Sequence, residues 1–487
     1  MFSLSKLKEA EANSRQKKKI EFELPFFMTF VTLLATSGFG PYTIFQKMRE
    51  VSLLPTSKKE SEKILKRIDL LGMDPLTAIT KVKEKSPSKE FGEFLAGYVS
   101  AIEGGGDVVS YLKSKMSSIF DRYAELEKQS VEKVKSVVEA YMTLQIVFLA
   151  AYIIISSTGN TASQSMVESE SDSSSLFVIF PPLVSIMFLV LANSMYKSKL
   201  KELDIKKVLV FGMPAIAVSL VLIFLDFTPE YDVFIFAAAL IVASIWPMIN
   251  FKKKYSLAID AESASSSILR DIAETRKAGI GPEKCVIKAC KRKDYGAFNS
   301  IANSISSRLE WGSSLNDIYD SLKNEIESFQ VLISFKILFE IISSGGGNVH
   351  TLESLAGTAE KILNIEKEKR DLLKPYVMIG FILIGLTSFV TLMVIDSLSS
   401  ISIQTEIDEQ KIKQINEKRD NDFRIFSFSV IIQAWLAGLF LGKITTGSYS
   451  GGFQISAILV IISVIGIIAI QAQLFDVGAI VGSADLI

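Results

Sequence analysis

A glycine-rich segment occurs twice in this chain, and the repeat constrains the fold more than any other feature. The first copy reads YVSAIEGGGDVVSYL over residues 98–112, and the second reads LFEIISSGGGNVHTL over residues 338–352. Earlier glycines precede each run at similar distances: Gly38 and Gly72 before Gly104, and Gly279 and Gly312 before Gly345. The spacings are 34 and 32 residues in the first copy and 33 and 33 in the second. This regularity predicts a duplicated helical domain.

Each glycine run predicts a turn between two helices. Consecutive glycines break a helix because glycine loses the most backbone entropy there and readily takes positive φ. An aspartate or asparagine follows each run, and both are good N-caps for the next helix. The predicted turn residues are Gly104, Gly105, Gly106 and Asp107 in the first copy and Gly345, Gly346, Gly347 and Asn348 in the second. A phosphate-binding loop is not favoured, since it needs a preceding strand and a following lysine with serine or threonine.

Composition indicates a membrane protein with large polar domains. Hydrophobic residues make up 49% of the 487 positions, while 53 basic and 53 acidic residues cancel, so the net charge gives no nucleic-acid footprint. Cys285 and Cys290 are five residues apart, and the single histidine, His350, is distant in sequence. This spacing predicts no zinc site or disulfide framework, and we expect buried thiols, an exposed histidine, no metal and no cofactor.

The N-terminal part of the chain is charged. Residues 1–23 include Lys17, Lys18 and Lys19 and do not resemble a signal peptide, so we expect a cytosolic N-terminus. This segment is either a solvated arm or a contact for lipid headgroups or an acidic partner. Residues 24–40 read as a buried helix too short to cross a membrane, with Pro25 in its first turn. Further helices are predicted at 41–51, 57–71, 75–83, 88–102 and 108–135.

Seven apolar segments approach the ~20 residues that cross a bilayer. They are 140–157, 176–196, 208–225, 233–250, 375–395, 425–442 and 453–474. The loops at 156–175 and 226–232 contain acidic and no basic residues, whereas 197–207 and 252–254 are rich in lysine. By the positive-inside rule, both helical domains then lie in the cytosol and the C-terminus lies outside.

The predicted organisation is an all-α polytopic membrane protein with two helical bundles. The segments are a charged arm (1–23), a cytosolic domain (24–136), a four-helix transmembrane block (137–250), a second cytosolic domain (251–374), a three-helix transmembrane block (375–474) with an external segment (396–422), and an external tail (475–487).

The sequence shows no catalytic motif. The spans lack lysine, arginine, aspartate and glutamate between their ends, which disfavours a transport pathway. Gln145, Gln433 and Asn193 are expected to form interhelical hydrogen bonds. The stretch GLFLGK at 438–443 is one residue short of a phosphate loop, and we interpret it as a chance match. Residues 443–452 predict a tight, exposed hairpin.

Several short motifs resemble the duplicated F domain of the platform proteins of type II secretion and type IV pilus machines. These are LLATSGFGPYTIFQKM at 33–48, GGGDV at 104–108 and GKITTGSYSGG at 442–452. Together with two additional spans between the repeats, they are similar to the archaeal branch, which includes archaellum and adhesive-pilus platforms. The resemblance covers about residues 26–474. The second copy departs from it by having Asn348 where the first has Asp107.

This resemblance implies a non-enzymatic scaffold in the cell membrane. Such a platform forms a homodimer, anchors a hexameric cytosolic secretion ATPase, and couples its motion to assembly of prepilin-like subunits into a filament, with rotation and motility in the archaellum. The platform of an adhesive or UV-inducible pilus is the alternative, and a transporter or lipid-handling protein is an alternative of another class. The candidate ATPase contacts are Lys17, Lys18, Lys19, Arg276, Lys277, Lys291, Arg292 and Lys293. The alternative explanation of each basic cluster, which we favour over an ATPase contact, is positive-inside topology or a solvated surface.

Overall fold

The computed structural model describes residues 4–162, 170–195, 217–219, 221, 231–401 and 409–471. These residues form helices joined by turns, and no β-strand occurs among them, which agrees with the predicted all-α class. The predicted span 208–225, residues 402–408 of the predicted external segment and the predicted tail 475–487 lie outside the described residues, apart from 217–219 and 221.

Six helices in the first half of the chain recur in the same order in the second half. The first series is α1 (Leu4–Thr36), α2 (Pro41–Met48), α3 (Pro55–Leu71), α4 (Pro75–Lys83), α5 (Lys89–Glu103) and α6 (Val108–Ala162), followed by α7 (Glu170–Met195). The second series is α8 (Asp232–Lys277), α9 (Pro282–Lys291), α10 (Asn299–Glu310), α11 (Leu315–Glu325), α12 (Phe329–Ser343) and α13 (Val349–Ile401), followed by α14 (Glu409–Thr446) and α15 (Gly452–Gln471). Single 3₁₀ turns lie at Gly296–Phe298 and Tyr449–Gly451.

The chain divides into two compact units. The first unit contains Met1–Gln129 and Tyr255–Glu368, and the second contains Ser130–Lys254 and Lys369–Ile487. The first unit therefore holds both copies of the duplicated region, which we call the first repeat (residues 4–129) and the second repeat (residues 255–368). The sequence-based boundaries treat the copies as separate domains, whereas the structure gathers them around one shared hydrophobic core.

The shared core of the first unit is built around α1 and α12. Residues 24–34 of α1 are buried on every side, as expected for a helix that is apolar all round. The ring of Phe26 meets the ring of Phe329 edge to face, with centroids 5.1 Å apart. Burial of each such side chain stabilises the fold by about 1.5–3 kcal/mol, so the repeats contribute to each other's stability.

α1 begins about twenty residues before the predicted helix start, and within it Glu23 contacts α3. The Glu23 carboxylate accepts hydrogen bonds from Thr56 N (3.0 Å), Ser57 N (2.7 Å) and Ser57 Oγ (2.8 Å). It thereby caps α3, whose own N-cap residue, Leu54, makes no side-chain cap. Pro25 accordingly lies inside α1 and not in its first turn. The predicted arm is thus part of α1, with residues 11–19 largely exposed and Ile20 and Glu23 buried.

Several described helices are long and apolar enough to be membrane spans, and their apolar parts lie in the second unit. By length and composition, five described helices or helix segments can cross a membrane: Val108–Ala151, Asp232–Lys277, Val349–Val390, Phe423–Thr446 and Tyr449–Gln471. A shorter apolar helix runs over Ile179–Ser194. The chain is therefore polytopic, and the total of seven spans stays a prediction.

Two pairs of small residues join α14 to α15. A Cβ atom on Gly438 would lie 2.4 Å from the Ser456 backbone, and one on Gly442 would lie 2.0 Å from the Gly452 Cα. Gly438 and Gly442 form a small-xxx-small pair, as do Gly452 and Ser456, and such pairs let membrane helices approach closely. The GLFLG stretch is thus a helix-packing motif.

The turn between α14 and α15 is buried, so the prediction of an exposed hairpin is wrong. Lys443, Ser448 and Ser450 are all buried. The turn satisfies its own polar groups, because Ser448 Oγ accepts from Ser450 N (3.2 Å) and Thr446 Oγ1 donates to Gly442 O (2.8 Å). Because the glycines allow close backbone contact, the turn can pack inward.

Polar side chains connect helices within the second unit. Gln433 Nε2 donates to Gln145 Oε1 (2.7 Å), which is the interhelical bond that the sequence predicts. Asn193 does not follow that prediction, because its side chain is exposed and makes no hydrogen bond with any described residue. Arg424 of α14 also pairs with Asp232 of α8, whose side chain is completely buried.

Candidate functional site: glycine turns and basic clusters

Six periodic glycines mark the helix ends of the first unit, and all have positive φ. The angles are +89° at Gly38, +64° at Gly72 and +62° at Gly105 in the first repeat, and +77° at Gly279, +79° at Gly312 and +74° at Gly345 in the second. The spacings are 34 and 33 residues, then 33 and 33. Gly105 is therefore the structural counterpart of Gly345, whereas the sequence comparison paired Gly345 with Gly104.

The glycines at these turns are required by backbone conformation. Gly106 N donates to Ala101 O (3.2 Å) and Gly346 N donates to Ile341 O (2.9 Å), which is the Schellman bond of a helix C-terminus. A Cβ atom on Gly105 or Gly345 would meet nothing within 4 Å. Only the left-handed φ excludes other residues there.

The second turn is one residue longer than the first and more tightly packed. Gly347, with φ +38°, is the additional residue. A Cβ atom on Gly346 would lie 2.8 Å from Ser37 Oγ, and one on Gly347 would lie 2.9 Å from Pro282 Cγ. The turn of the second repeat thus contacts the first repeat.

The residues that follow the glycines cap the next helix. Asp107 Oδ1 accepts from Ser110 N (3.0 Å), and Asn348 Oδ1 accepts from Thr351 N (2.8 Å). Aspartate and asparagine serve equally as N-caps, so the exchange of one for the other keeps the turn. Both residues have the contact expected from the sequence.

Arg276 stabilises the second repeat by donating hydrogen bonds to two of its backbone carbonyls. Its Nε donates to Gly347 O (2.8 Å) and its Nη1 donates to Ile280 O (2.7 Å). The neighbouring Lys277 binds Glu353 (2.6 Å). The hydrogen bond from Lys277 lowers the pKa of the Glu353 carboxyl and raises the pKa of the lysine.

The basic cluster 291–293 neutralises acidic groups of its own repeat. Lys291 pairs with Glu310 (2.6 Å). Arg292 (2.9 Å) and Lys293 (3.5 Å) both pair with Asp271, whose side chain is only 5% exposed. A buried carboxylate needs such partners, since leaving it unpaired is strongly destabilising. Arg292 and Lys293 therefore have a structural function.

The N-terminal cluster is more open. Lys17 lies 3.7 Å from Glu21, whereas Lys18 and Lys19 are exposed and form no ion pair with any described residue. Among the described residues no hydrogen bond or ion pair links the three basic clusters. No group of three or more histidine, cysteine or acidic side chains positioned for a metal occurs there either.

Two exposed apolar positions were missed from the sequence. Leu71 precedes Gly72 and is 65% exposed, and Trp311 precedes Gly312 and is 88% exposed. These residues occupy the same place in the two repeats. A large apolar residue directly before a periodic glycine is the signal that could have revealed them.

The family profile of the type II secretion system (T2SS), protein F, matches residues 4–156 and 268–395. These segments make up more than half of the chain, and each contains one set of three periodic glycines. The chain belongs to the type II secretion system protein F family. The duplicated glycine turns of this protein F chain thus coincide with the segments that define its family.

Two relatives come from Methanocaldococcus jannaschii. An uncharacterized protein is 21% identical to the protein F chain over 399 residues, covering 72% of this chain and 64% of the relative. Flagella accessory protein J is 27% identical over 144 residues, covering 29% of this chain and 26% of the relative. The chain thus spans less than two thirds of the length of either relative. No solved structure matches it.

Proposed function

We propose that this protein is the membrane platform of an archaeal type IV filament machine. The observation that carries the proposal is the protein F profile, which matches both repeats of a polytopic chain. In this function the chain is a scaffold with no catalytic reaction of its own.

The proposed platform binds a hexameric cytosolic secretion ATPase through its first unit and couples ATPase motion to assembly of prepilin-like subunits. The first unit then lies in the cytosol with the N-terminus, the C-terminus lies outside, and the platform acts as a homodimer in the cell membrane. Basic loops on one side and acidic loops on the other support this orientation.

The archaellum is the filament we favour, because one relative is named Flagella accessory protein J. In that machine the filament subunit is an archaellin, and platform and ATPase together drive rotation and motility. An adhesive or UV-inducible pilus is the second candidate, because the match to Flagella accessory protein J covers only 29% of this chain.

The contacts within the first unit narrow the candidate ATPase surface. Arg276, Arg292 and Lys293 are held by intramolecular partners. Lys18 and Lys19 have no such partner among the described residues, and Lys17, Lys277 and Lys291 form exposed pairs that contribute little to stability. We infer that five lysines are available for docking: Lys17, Lys18, Lys19, Lys277 and Lys291.

A gene deletion with complementation tests the function. The deletion strain is examined by electron microscopy for archaella and pili, and a chromosomally tagged chain is purified from membranes to identify bound ATPase. We expect loss of one filament type, rescue by the gene, and co-purification of a secretion ATPase. Loss of archaella with pili retained selects the archaellum. Normal filaments of both kinds would contradict the proposal.

A further inference from the structure

In each repeat of the first unit one helix ends at an exposed apolar side chain, and exposed lysines lie on that helix or on the α-helix before it. In the second repeat Trp311 follows α10 and lies directly before Gly312. Its indole is 88% exposed and has no hydrogen bond or ring contact with any described residue. A tryptophan this open on a helical unit is unusual, since large aromatic side chains are mostly buried.

The α-helix before α10, α9, carries three lysines. Lys284, Lys288 and Lys291 are spaced i, i+4 and i+7, so they share one helix face. Lys291 binds Glu310, the residue just before Trp311 (2.6 Å). Lys284 and Lys288 are exposed and form no ion pair with any described residue. We call Lys284, Lys288 and Trp311 the second tip.

The first repeat also has exposed lysines near an exposed apolar helix end, but they lie on α3 itself, the counterpart of α10, and not on the preceding helix. Leu70 is 77% exposed and Leu71, the counterpart of Trp311, is 65% exposed. Lys59 and Lys66 lie at i−11 and i−4 from Leu70, hence on its face of the helix, and neither pairs with a described acidic residue. We call Lys59, Lys66, Leu70 and Leu71 the first tip.

We propose that the two tips are docking sites for one acidic cytosolic partner that has an apolar pocket framed by carboxylates. Open lysines favour carboxylates, and a buried tryptophan with a charged rim is typical of the residues that dominate binding energy. This inference rests on the proposed function, in which the partner is the secretion ATPase. Because an exposed apolar residue precedes the periodic glycine in both repeats, the two tips fit an oligomeric partner that offers the same pocket on more than one subunit.

The glycine turns explain why these positions remain exposed. The helix stops at a left-handed glycine, so the residue before it stands at the end of the bundle and not along a packed face. Two residues after each glycine, Asp74 and Ser314 cap the next helix. The backbone on both sides of the tip is therefore fixed. This favours binding, because little conformational entropy is lost when the partner binds.

The test uses the full chain in nanodiscs of uncharged lipid and the purified secretion ATPase of the same organism. Affinity is measured for the wild type, Trp311→Ala, the pair Leu70→Ser with Leu71→Ser, and the control Leu126→Ser. Leu126 is a good control because it is 46% exposed in the first unit but adjoins no periodic glycine. Equal thermal midpoints show that each variant is folded.

Acrylamide quenching gives a second readout. The chain has three tryptophans, and subtraction of the Trp311→Phe signal isolates Trp311. The quenching is measured with the ATPase and separately with anionic phospholipid vesicles, because exposed tryptophan with lysines could also contact a bilayer surface.

We expect Trp311→Ala to weaken ATPase binding about 10-fold or more and the leucine pair about 5-fold, with Leu126→Ser unchanged. The ATPase should protect Trp311 from acrylamide. Unchanged affinity in both tip variants would overturn the inference while the proposed function stands. Protection by vesicles and not by the ATPase would make the tips a lipid contact. No binding by the wild type would overturn both proposals.

Discussion

Glycine at the periodic turns acts through φ alone, and a single substitution tests this. Gly345 has φ +74° with open space where a Cβ would lie, so Gly345→Ala should destabilise the chain by about 1–2 kcal/mol through backbone strain. Gly357 of α13 also has open space but no positive φ. Gly357→Ala should therefore raise stability by about 0.5–1 kcal/mol. The thermal midpoints in detergent should move in opposite directions, and equal shifts would refute the conformational explanation.

Glu23 should be among the most sensitive single residues of the first unit. It accepts three hydrogen bonds at the N-terminus of α3 and is buried. Glu23→Ala leaves Thr56 N and Ser57 N without acceptors, which should cost about 2–3 kcal/mol. The exposed Glu11 offers a matched control, because Glu11→Ala removes only a surface pair. Equal thermal midpoints for the two variants would show that the cap is unimportant.

Both thiols should be inert in the folded chain. Burial raises the pKa of Cys290 to about 12 and also raises the pKa of Cys285. Each thiol therefore stays protonated at pH 8, and only the thiolate is nucleophilic. Mass spectrometry after iodoacetamide at pH 8 should find no adduct on the native chain and two after unfolding. Rapid modification of the native chain would place the thiols at the surface.

At the scale of elements, local chemistry predicts where helices lie but not what they pack against. Pro41, Pro55 and Pro75 each open a helix, and Gly38, Gly72 and Gly105 follow the ends of α1, α3 and α5, so most of the predicted helices are found within a few residues. The cap at the start of α3 could not be predicted, because it joins Glu23 to Thr56 and Ser57 across more than thirty positions. The shared core of the two repeats is likewise a long-range property.

The candidate site could be predicted only in part, because local sequence predicts turns and caps but not long-range contacts. The turns and caps follow from local sequence, and Asp107 and Asn348 have the expected contacts. The partners of Arg276 and Arg292 lie 71 and 21 positions away, so the sequence could not distinguish structural cations from open ones.

The α14–α15 hairpin should not tolerate a larger residue at its crossing point. Gly442→Leu would place a Cβ 2.0 Å from the Gly452 Cα, and backbone cannot move aside as a side chain can. Destabilisation of about 3 kcal/mol or more follows from such overpacking. Gly466 of α15 has open space, so Gly466→Ala should be neutral. The fraction of folded protein recovered in detergent measures both, and equal recovery would contradict the close crossing.

The buried pair of Asp232 and Arg424 should show strong coupling. Arg424→Met leaves a buried carboxylate without its partner, at a cost of about 3–5 kcal/mol. Combining it with Asp232→Asn removes the unpaired charge and should recover part of that loss. The thermal midpoints of the wild type, the two single variants and the double variant form a double-mutant cycle that measures the coupling. A double variant less stable than Arg424→Met would argue against the pair.

At the scale of the whole molecule, the positive-inside pattern predicts which loops face the cytosol. Lys85→Cys in the first unit should resist a membrane-impermeant maleimide in intact cells, while Ser165→Cys in the predicted external loop should react. The native thiols are buried and give a low background. The reverse labelling pattern would invert the proposed orientation.

The most direct test of the account is hydrogen–deuterium exchange of the full chain in nanodiscs, with and without the secretion ATPase. The platform proposal predicts that the ATPase slows exchange within residues 1–129 and 255–368, with the largest effect around Leu71–Gly72 and Trp311–Gly312. Unchanged exchange throughout the first unit at saturating ATPase would contradict the claim that this unit is the docking face.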